Sequence, residues 1–340
     1  MNPVLLLRAL TIGLAAVVMA TLPAGAQTTL DKVSFGTNWV PEAEHGGFFQ
    51  ALADGTYRRY GLDVTIVPGG PNDNNRMLLI AGKLDFFMAA NTLMSLDAVA
   101  NNVPVVTVAA MFQKDPQVFL THPESKVTKL EELKPLTLFV SKEGITSYFQ
   151  WLKSEYGFNE EKVRPYTFNA QPFIADKQSA MQGYVTSEPF AVEKAAKFKP
   201  GVILLADYGF NTYSTLIETR RELVDKKPDL VQRFVDASAI GWYNYLYGDN
   251  MPANEMIKKL NPEMTDELLT YSISKMKEYG IVDSGDTLRG GIGAMTDERA
   301  ASFFDKMVRA GVVRPDIDFR KAYTLRFINK GVGLDLRPKN

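Results

Sequence analysis

Between residues 32 and 112 short apolar runs take turns with helix-like segments, and this alternation limits the fold more than any other feature. Residues 32–36 read as a strand and 46–60 as a helix. GLDVTIV (61–67), closed by Pro-Gly-Gly, is a second strand with Val64 and Ile66 on one face. Residues 74–81 read as a helix, 84–88 as a strand and 93–101 as a helix. VPVVTVAAMF (103–112) is rich in β-branched residues and suits a buried strand. Elements of this length in this order argue for a doubly wound α/β sheet.

The pattern changes at QKDPQVFLTHP (113–123), and a second alternating block runs from about Pro116 to Tyr208. It contains a strand in LKPLTLFVS (133–141), an amphipathic helix at 146–156 and a strand at 163–168. A helix at 174–182 follows, then a strand and turn in GYVTSEP (183–189), a helix at 190–196 and a strand in GVILLADYG (201–209). TYSTLIETR (212–220) is a further strand. From there the pattern is mostly helical, at 228–247, 252–260, 263–279 and 297–310, with start signals at Thr265-Asp266-Glu267 and Thr296-Asp297-Glu298. The expected division is lobe one at 27–115 plus 212–340 and lobe two at 116–211. The two chain crossings, near 113–119 and 208–215, would form a hinge. Open α/β sheets bind ligands at the C-terminal ends of their strands, and hinged lobes close around what they bind.

The first 26 residues stand apart. Arg8 precedes an uncharged apolar run at 9–22, then Pro23 and Ala24-Gly25-Ala26 before Gln27. This reads as a secretory signal cleaved near Ala26, and the run falls short of the roughly 20 apolar residues a spanning helix needs. The chain has no cysteine, hence no disulfide, thiolate ligand or lipid anchor. Export without cysteine suggests the periplasm of a Gram-negative bacterium. With 38 basic against 39 acidic residues there is no electrostatic footprint for nucleic acid or anionic lipid. No GxSxG, HExxH, Walker or GxGxxG pattern is present, so neither an enzyme nor a cofactor is expected.

NWVPEAEHGGFFQALADG (38–55) joins the first strand to the first helix and holds one of only two histidines. Trp39 at a strand end can stack on a flat ligand or pack between core and helix. Asn38 can pair with ring nitrogens or serve as a turn residue. His45 offers one donor and one acceptor when neutral, or simply begins the helix. Glu42 and Glu44 read as solvated turn charges. Asn91 and Thr92 precede a helix whose first N–H groups can take a ligand oxygen, or they cap it. Ser141 and Gly144, with Thr146, form the equivalent turn in lobe two. Glu188 precedes Pro189, which should hold it extended, facing either the cleft or solvent. Tyr208 and Tyr213 flank the second crossing and either close over a ligand or pack the hinge. His122, the other histidine, sits in a T-H-P-E loop that reads as surface, so no metal site is expected. With no arginine pair in the set, the inventory leans toward a neutral or weakly basic planar ligand.

Trp39, Pro41, His45 and Gly47 in the order W-x-P-x-x-x-H-x-G, followed by YGLDVTIVPGGP, AGKLDFFMA, NNVPVVTVAAMFQKDPQVFL and GYVTSEPF, resemble a known group. These are the substrate-binding proteins of ABC importers related to binders of thiamine-pyrimidine precursors, with nitrate, sulfonate and taurine binders as more distant relatives. The resemblance covers about residues 32–330. It implies a type II periplasmic binding protein fold with two lobes, a two-crossover hinge and a helical C-terminal part. It also implies a monomer that binds a small molecule and docks on an inner-membrane permease. Pyrimidine binders of this group tend to carry Asp before the Trp and Pro-Asn after it; here Asn38 and Pro41-Glu42-Ala43-Glu44 stand in those places. A related eukaryotic branch makes the pyrimidine with its own histidine and a cysteine-rich iron site. This chain matches that histidine with His45 and has no cysteine.

Overall fold

The computed structural model describes residues 29–70, 74–167 and 169–339. The signal expected over residues 1–26 lies outside them. Among the described residues no helix is long and apolar enough to cross a membrane.

The chain opens with β1 (Asp31–Gly36), a turn of 3-10 helix at Ala43–His45, and α1 (Gly46–Ala53). Gly55, at φ +75°, breaks the single helix expected over 46–60, and α2 (Thr56–Arg59) resumes after it. Then come β2 (Leu62–Val67), α3 (Asn75–Ile80), β3 (Phe86–Asn91), α4 (Thr92–Ala100) and β4 (Val105–Phe112). All eight residues of β4 are buried, as its apolar run requires.

The chain crosses to a second sheet at β5 (Gln117–Thr121), continuing through β6 (Thr137–Val140), α5 (Lys142–Thr146), α6 (Tyr148–Tyr156) and β7 (Val163–Pro165). Next are α7 (Gln171–Ala175), β8 (Ser179–Tyr184), α8 (Glu188–Ala196) and β9 (Gly201–Leu204). It returns as β10 (Ser214–Arg220) and ends in helices: α9 (Arg221–Lys226), α10 (Pro228–Tyr247), α11 (Met251–Leu260), α12 (Asp266–Glu278), α13 (Thr287–Gly290) and α14 (Asp297–Arg309). The Thr265 and Thr296 hydroxyls accept from the Leu268 and Arg299 N–H groups, so both expected helix starts are capped.

Two five-stranded sheets result. The first runs β2-β1-β3-β10-β4, with β10 antiparallel to both neighbours; the second runs β7-β6-β8-β5-β9, with β5 antiparallel to β8 and β9. Residues 174–182, expected as one helix, contain the start of β8 instead. Asp176 makes a turn, its Oδ1 accepting from the Gln178 N–H at 2.9 Å, and Ser179 enters the middle of the sheet between β5 and β6. Sheet pairing and full burial override local helix propensity there.

The Gly46-Gly47 pair fixes how α1 lies on α10. A Cβ at Gly46 would come within 2.0 Å of the Tyr245 ring, one at Gly47 within 2.2 Å of Trp242, and one at Gly241 within 2.3 Å of the Gly47 carbonyl oxygen. Bare backbone thus lets the two helices meet and places the preceding turn. α14 ties the C-terminal part to both lobes. Its Phe303 and Met307 pack with Trp151 and Phe210, while its Phe304 packs with Leu96 and Ala322.

Candidate functional site

Glu42, Glu44 and His45 sit on the turn between β1 and α1, above the C-terminal end of β1. That turn is anchored from the C-terminal part by Asn261, whose Nδ2 donates to the Pro41 carbonyl at 2.9 Å. Glu42 and Glu44 are not free turn charges: Glu42 is half-buried. Glu44 is buried, and its Oε1 accepts from the hydroxyl of Thr186, which follows β8 in the other lobe. Ser272 on α12 donates to the Thr186 carbonyl at 2.7 Å, and the Phe190 and Tyr271 rings meet at 5.4 Å. Besides the packing of α14, the lobes thus touch along a line of contacts that includes Glu44.

Glu188 joins this line from lobe two. It is not extended: it is the first residue of α8, where Pro189 is tolerated because a first-turn N–H has no intrahelical partner. Its Oε2 accepts from the Tyr184 N–H at 2.7 Å and from the Ser187 hydroxyl. Gly183 leaves room for it, since a Cβ there would come within 2.7 Å of the Glu188 Cβ. Burial raises the Glu42 carboxyl well above the usual range, and repulsion from Glu44 and Glu188 raises it further. Burial likewise raises Glu44, against the Thr186 hydrogen bond, and raises Glu188, against those from Ser187 and Tyr184. No lysine or arginine among the described residues offsets this charge.

His45 is wholly buried, and burial lowers its pKa to about 3, so the ring is neutral at ordinary pH. Its Nδ1 accepts from the Glu42 N–H at 3.2 Å, which leaves the proton on Nε2. That Nε2 is buried without a partner, as is Oδ1 of Asn38. Trp39 is half-buried and belongs to none of the hydrophobic core clusters; its carbonyl accepts from the Gly69 N–H at 3.1 Å.

The other sequence candidates are engaged within the protein. Asn91 Oδ1 caps α4 by accepting from Leu93 N–H at 3.0 Å, and Thr92 N–H donates to the Tyr213 carbonyl at 3.1 Å. The first N–H groups of that helix are therefore spent on the cap and the hinge. Ser141 Oγ accepts from Gly144 N–H at 3.1 Å, while Ser141 N–H and the Tyr148 hydroxyl share Gln182 Oε1 at 2.6 and 2.8 Å. Thr146 Oγ1 donates to the Lys142 carbonyl at 3.4 Å. Tyr213 is tied to the C-terminal part: its hydroxyl donates to Asp286 and accepts from Thr296 N–H, and Arg299 lies 4.1 Å from its ring centroid. The Tyr208 side chain packs with the second-lobe core, and its carbonyl accepts from the Tyr156 hydroxyl at 2.5 Å. His122 is a core residue rather than a surface one, its Nε2 2.7 Å from the Phe173 carbonyl and its ring between Phe173 and Phe198.

The structure adds Glu42, Glu44, Thr186, Tyr166 and Ser272 to the set. Two of them carried a signal, because Glu42 and Glu44 replace the residues usual in the similar binders; the rest are set by tertiary contact alone. Among the described residues no group of three or more His, Cys, Asp or Glu is placed to hold a metal ion. A surface cavity of about 460 Å³ beside Asn102, Arg221, Arg314 and Lys321 shares no residue with this line.

The chain is 23% identical over 314 residues to the riboflavin-binding protein RibY of Chloroflexus aurantiacus, covering 90% of this chain and 88% of that one. It is 31% identical over 126 residues to the 4-amino-5-hydroxymethyl-2-methylpyrimidine phosphate synthase THI11 of Saccharomyces cerevisiae, covering 37% of this chain and 31% of that one. In structure it is similar to the periplasmic aliphatic sulphonate binding protein SsuA of Escherichia coli, with a TM-score of 0.65 at 13% identity over 86% of this chain and 91% of that one. That likeness shows the α/β two-lobe fold of type II periplasmic binding proteins. The description "NMT1/THI5 like" matches residues 42–249, a span that includes the second sheet, every strand of the first except β1, and the Glu44–Thr186 contact, and the chain belongs to that family.

Proposed function

We propose that this chain is the solute-binding component of an ABC importer, exported to the periplasm as a monomer. It captures a small planar heterocyclic or aromatic ligand between its lobes and delivers it to an inner-membrane permease by hinge closure. The observation that carries the reading is the meeting of Glu44 and Thr186 between the two lobes, near Glu188 and in the same turn as the unpartnered His45 Nε2. Trp39 supplies a flat face at the end of β1. Glu188 supplies an acceptor for ligand N–H groups, and Asn38 and His45 supply one acceptor and one donor. The likeness to a riboflavin-binding protein supports a planar heterocycle.

An oxyanion ligand is the second reading, favoured by the likeness to sulphonate binders. The buried carboxyls repel an anion, and the N–H groups of Thr92, Leu93 and Gly144 already have acceptors. A third reading, an exported pyrimidine-processing enzyme, rests on the partial match to the yeast synthases. Thermal-shift screening of the purified mature protein against flavins, pyrimidines, purines, sulfonates and nitrate separates the first two, because a ligand of the native state raises Tm. Recovery of the bound compound unchanged after long incubation separates binding from turnover. Trp39→Ala and Glu188→Ala are expected to weaken binding of the identified ligand by about tenfold or more while leaving the fold intact by circular dichroism. Unchanged affinity would remove that residue from the site.

A further inference from the structure

We propose that the carboxyl groups of Glu42, Glu44 and Glu188, gathered across the cleft from both lobes, form a subsite for a positively charged organic nitrogen of the ligand. The inference rests on reading the cleft as the ligand site and names the chemistry of what enters it. Two of the carboxyls belong to the turn before α1 and one to the first turn of α8, so they meet only because the lobes meet. Every group known to face them is neutral or acidic. Thr186, Ser187 and the Tyr184 N–H donate to them, Tyr245 of α10 lies close to Glu44, and Tyr166, after β7, lies close to Glu188. Like charges drawn out of water without a counter-ion, fully at Glu44 and partly at Glu42 and Glu188, are costly, and a cation arriving with the ligand offsets that cost.

The second observation is His45. Its side chain is fully buried in the same turn as Glu42 and Glu44, and its Nε2–H has no acceptor. A donor left unpaired in a buried site points to a ligand atom that accepts. The ligand class is therefore a flat molecule with a cationic nitrogen, such as an amidinium or a quaternised ring nitrogen, and a hydrogen-bond acceptor nearby. A bare metal ion is disfavoured, since these residues are not placed as a metal cage.

Matched probes test the charge alone. Binding to the mature protein would be measured by calorimetry at pH 7.5 for benzamidinium against benzamide and for 1-methylnicotinamide against nicotinamide. Riboflavin, 4-amino-5-hydroxymethyl-2-methylpyrimidine and benzenesulfonate complete the panel. The expected result is that each cation binds about tenfold or more tightly than its neutral partner, and that Glu42→Gln with Glu44→Gln abolishes the preference. If neutral members or the sulfonate bind as well as or better than the cations, the cation subsite is overturned while the solute-binding reading stands. If a cation preference persists in the double variant, the charge is recognised elsewhere and the assignment is also overturned. If no member binds, both readings fall.

Discussion

A carboxyl group withdrawn from water loses most in its charged form, and Glu44 is withdrawn almost completely, at 5% exposure. Burial raises its pKa above the ordinary 4.5, so the folded protein holds the Glu44 proton more tightly than the unfolded chain does. Stability then falls as pH rises from about 4.5 through the raised folded value, and the penalty is complete above it. Glu44→Gln keeps an acceptor for Thr186 and removes the charge. The ligand-free variant is expected to melt roughly 1–2 °C higher than the parent at pH 7.5, about 1 kcal/mol for a chain of this size. The gap should close as the pH approaches 4.5. A variant that melts lower than the parent at pH 7.5 would show that the Thr186 bond to a charged carboxylate outweighs its desolvation. His45 acts in the opposite sense: burial lowers its pKa from the ordinary 6.5 to about 3, so stability falls as pH drops below about 6.5, but parent and variant share this dependence and it drops out of their difference.

The contact of α1 with α10 is made by absence of side chains. Gly→Ala inside a helix ordinarily gains about 1 kcal/mol from propensity. At Gly47 the new methyl would overlap the buried Trp242 ring, and at Gly241 it would strike the Gly47 carbonyl. Overpacking of this kind costs typically 1–3 kcal/mol and more where backbone is the obstacle. Gly241→Ala is therefore expected to lower stability in urea unfolding by about 3 kcal/mol, and Gly47→Ala by somewhat less. A value within about 0.5 kcal/mol of the parent would mean the helices can separate freely. Helices like α10 were legible in the sequence because their apolar period and start signals are local, and residues 228–247 match its bounds. The Gly-Gly pair was visible, but its reason was not, since Trp242 and Tyr245 lie almost two hundred residues away. The same distance explains the candidate site. The turn 38–45 could be read as a strand end. The burial of Glu44 depends on Thr186 and α12, and residues 174–182 read as helix in the sequence because the pairing of β8 with β5 and β6 is non-local.

At the scale of the whole molecule, the lobes are held together by two opposing kinds of contact. Thr186 with Glu44, Ser272 with Thr186, and Phe190 with Tyr271 favour closure. The Glu42, Glu44 and Glu188 charges oppose it once they ionise. Opening the cleft hydrates the carboxyls and restores their ordinary pKa values, so closure takes up protons. It is favoured at low pH and disfavoured as pH rises above the ordinary carboxylate range. The ligand-free protein in small-angle scattering is accordingly expected to be compact at pH 5, with a radius of gyration near ~20 Å for about 310 residues, and larger at pH 8. The Glu42→Gln, Glu44→Gln double variant should stay compact at both. α14 bears on the proposed motion: it packs on the cores of both lobes and its Lys306 donates to the Gly209 carbonyl at the second crossing, so opening is expected to pivot about that helix. A radius independent of pH in the parent, with ligand still bound tightly, would assign closure to the apolar and hydrogen-bonded contacts alone and leave the carboxyls with ligand recognition only.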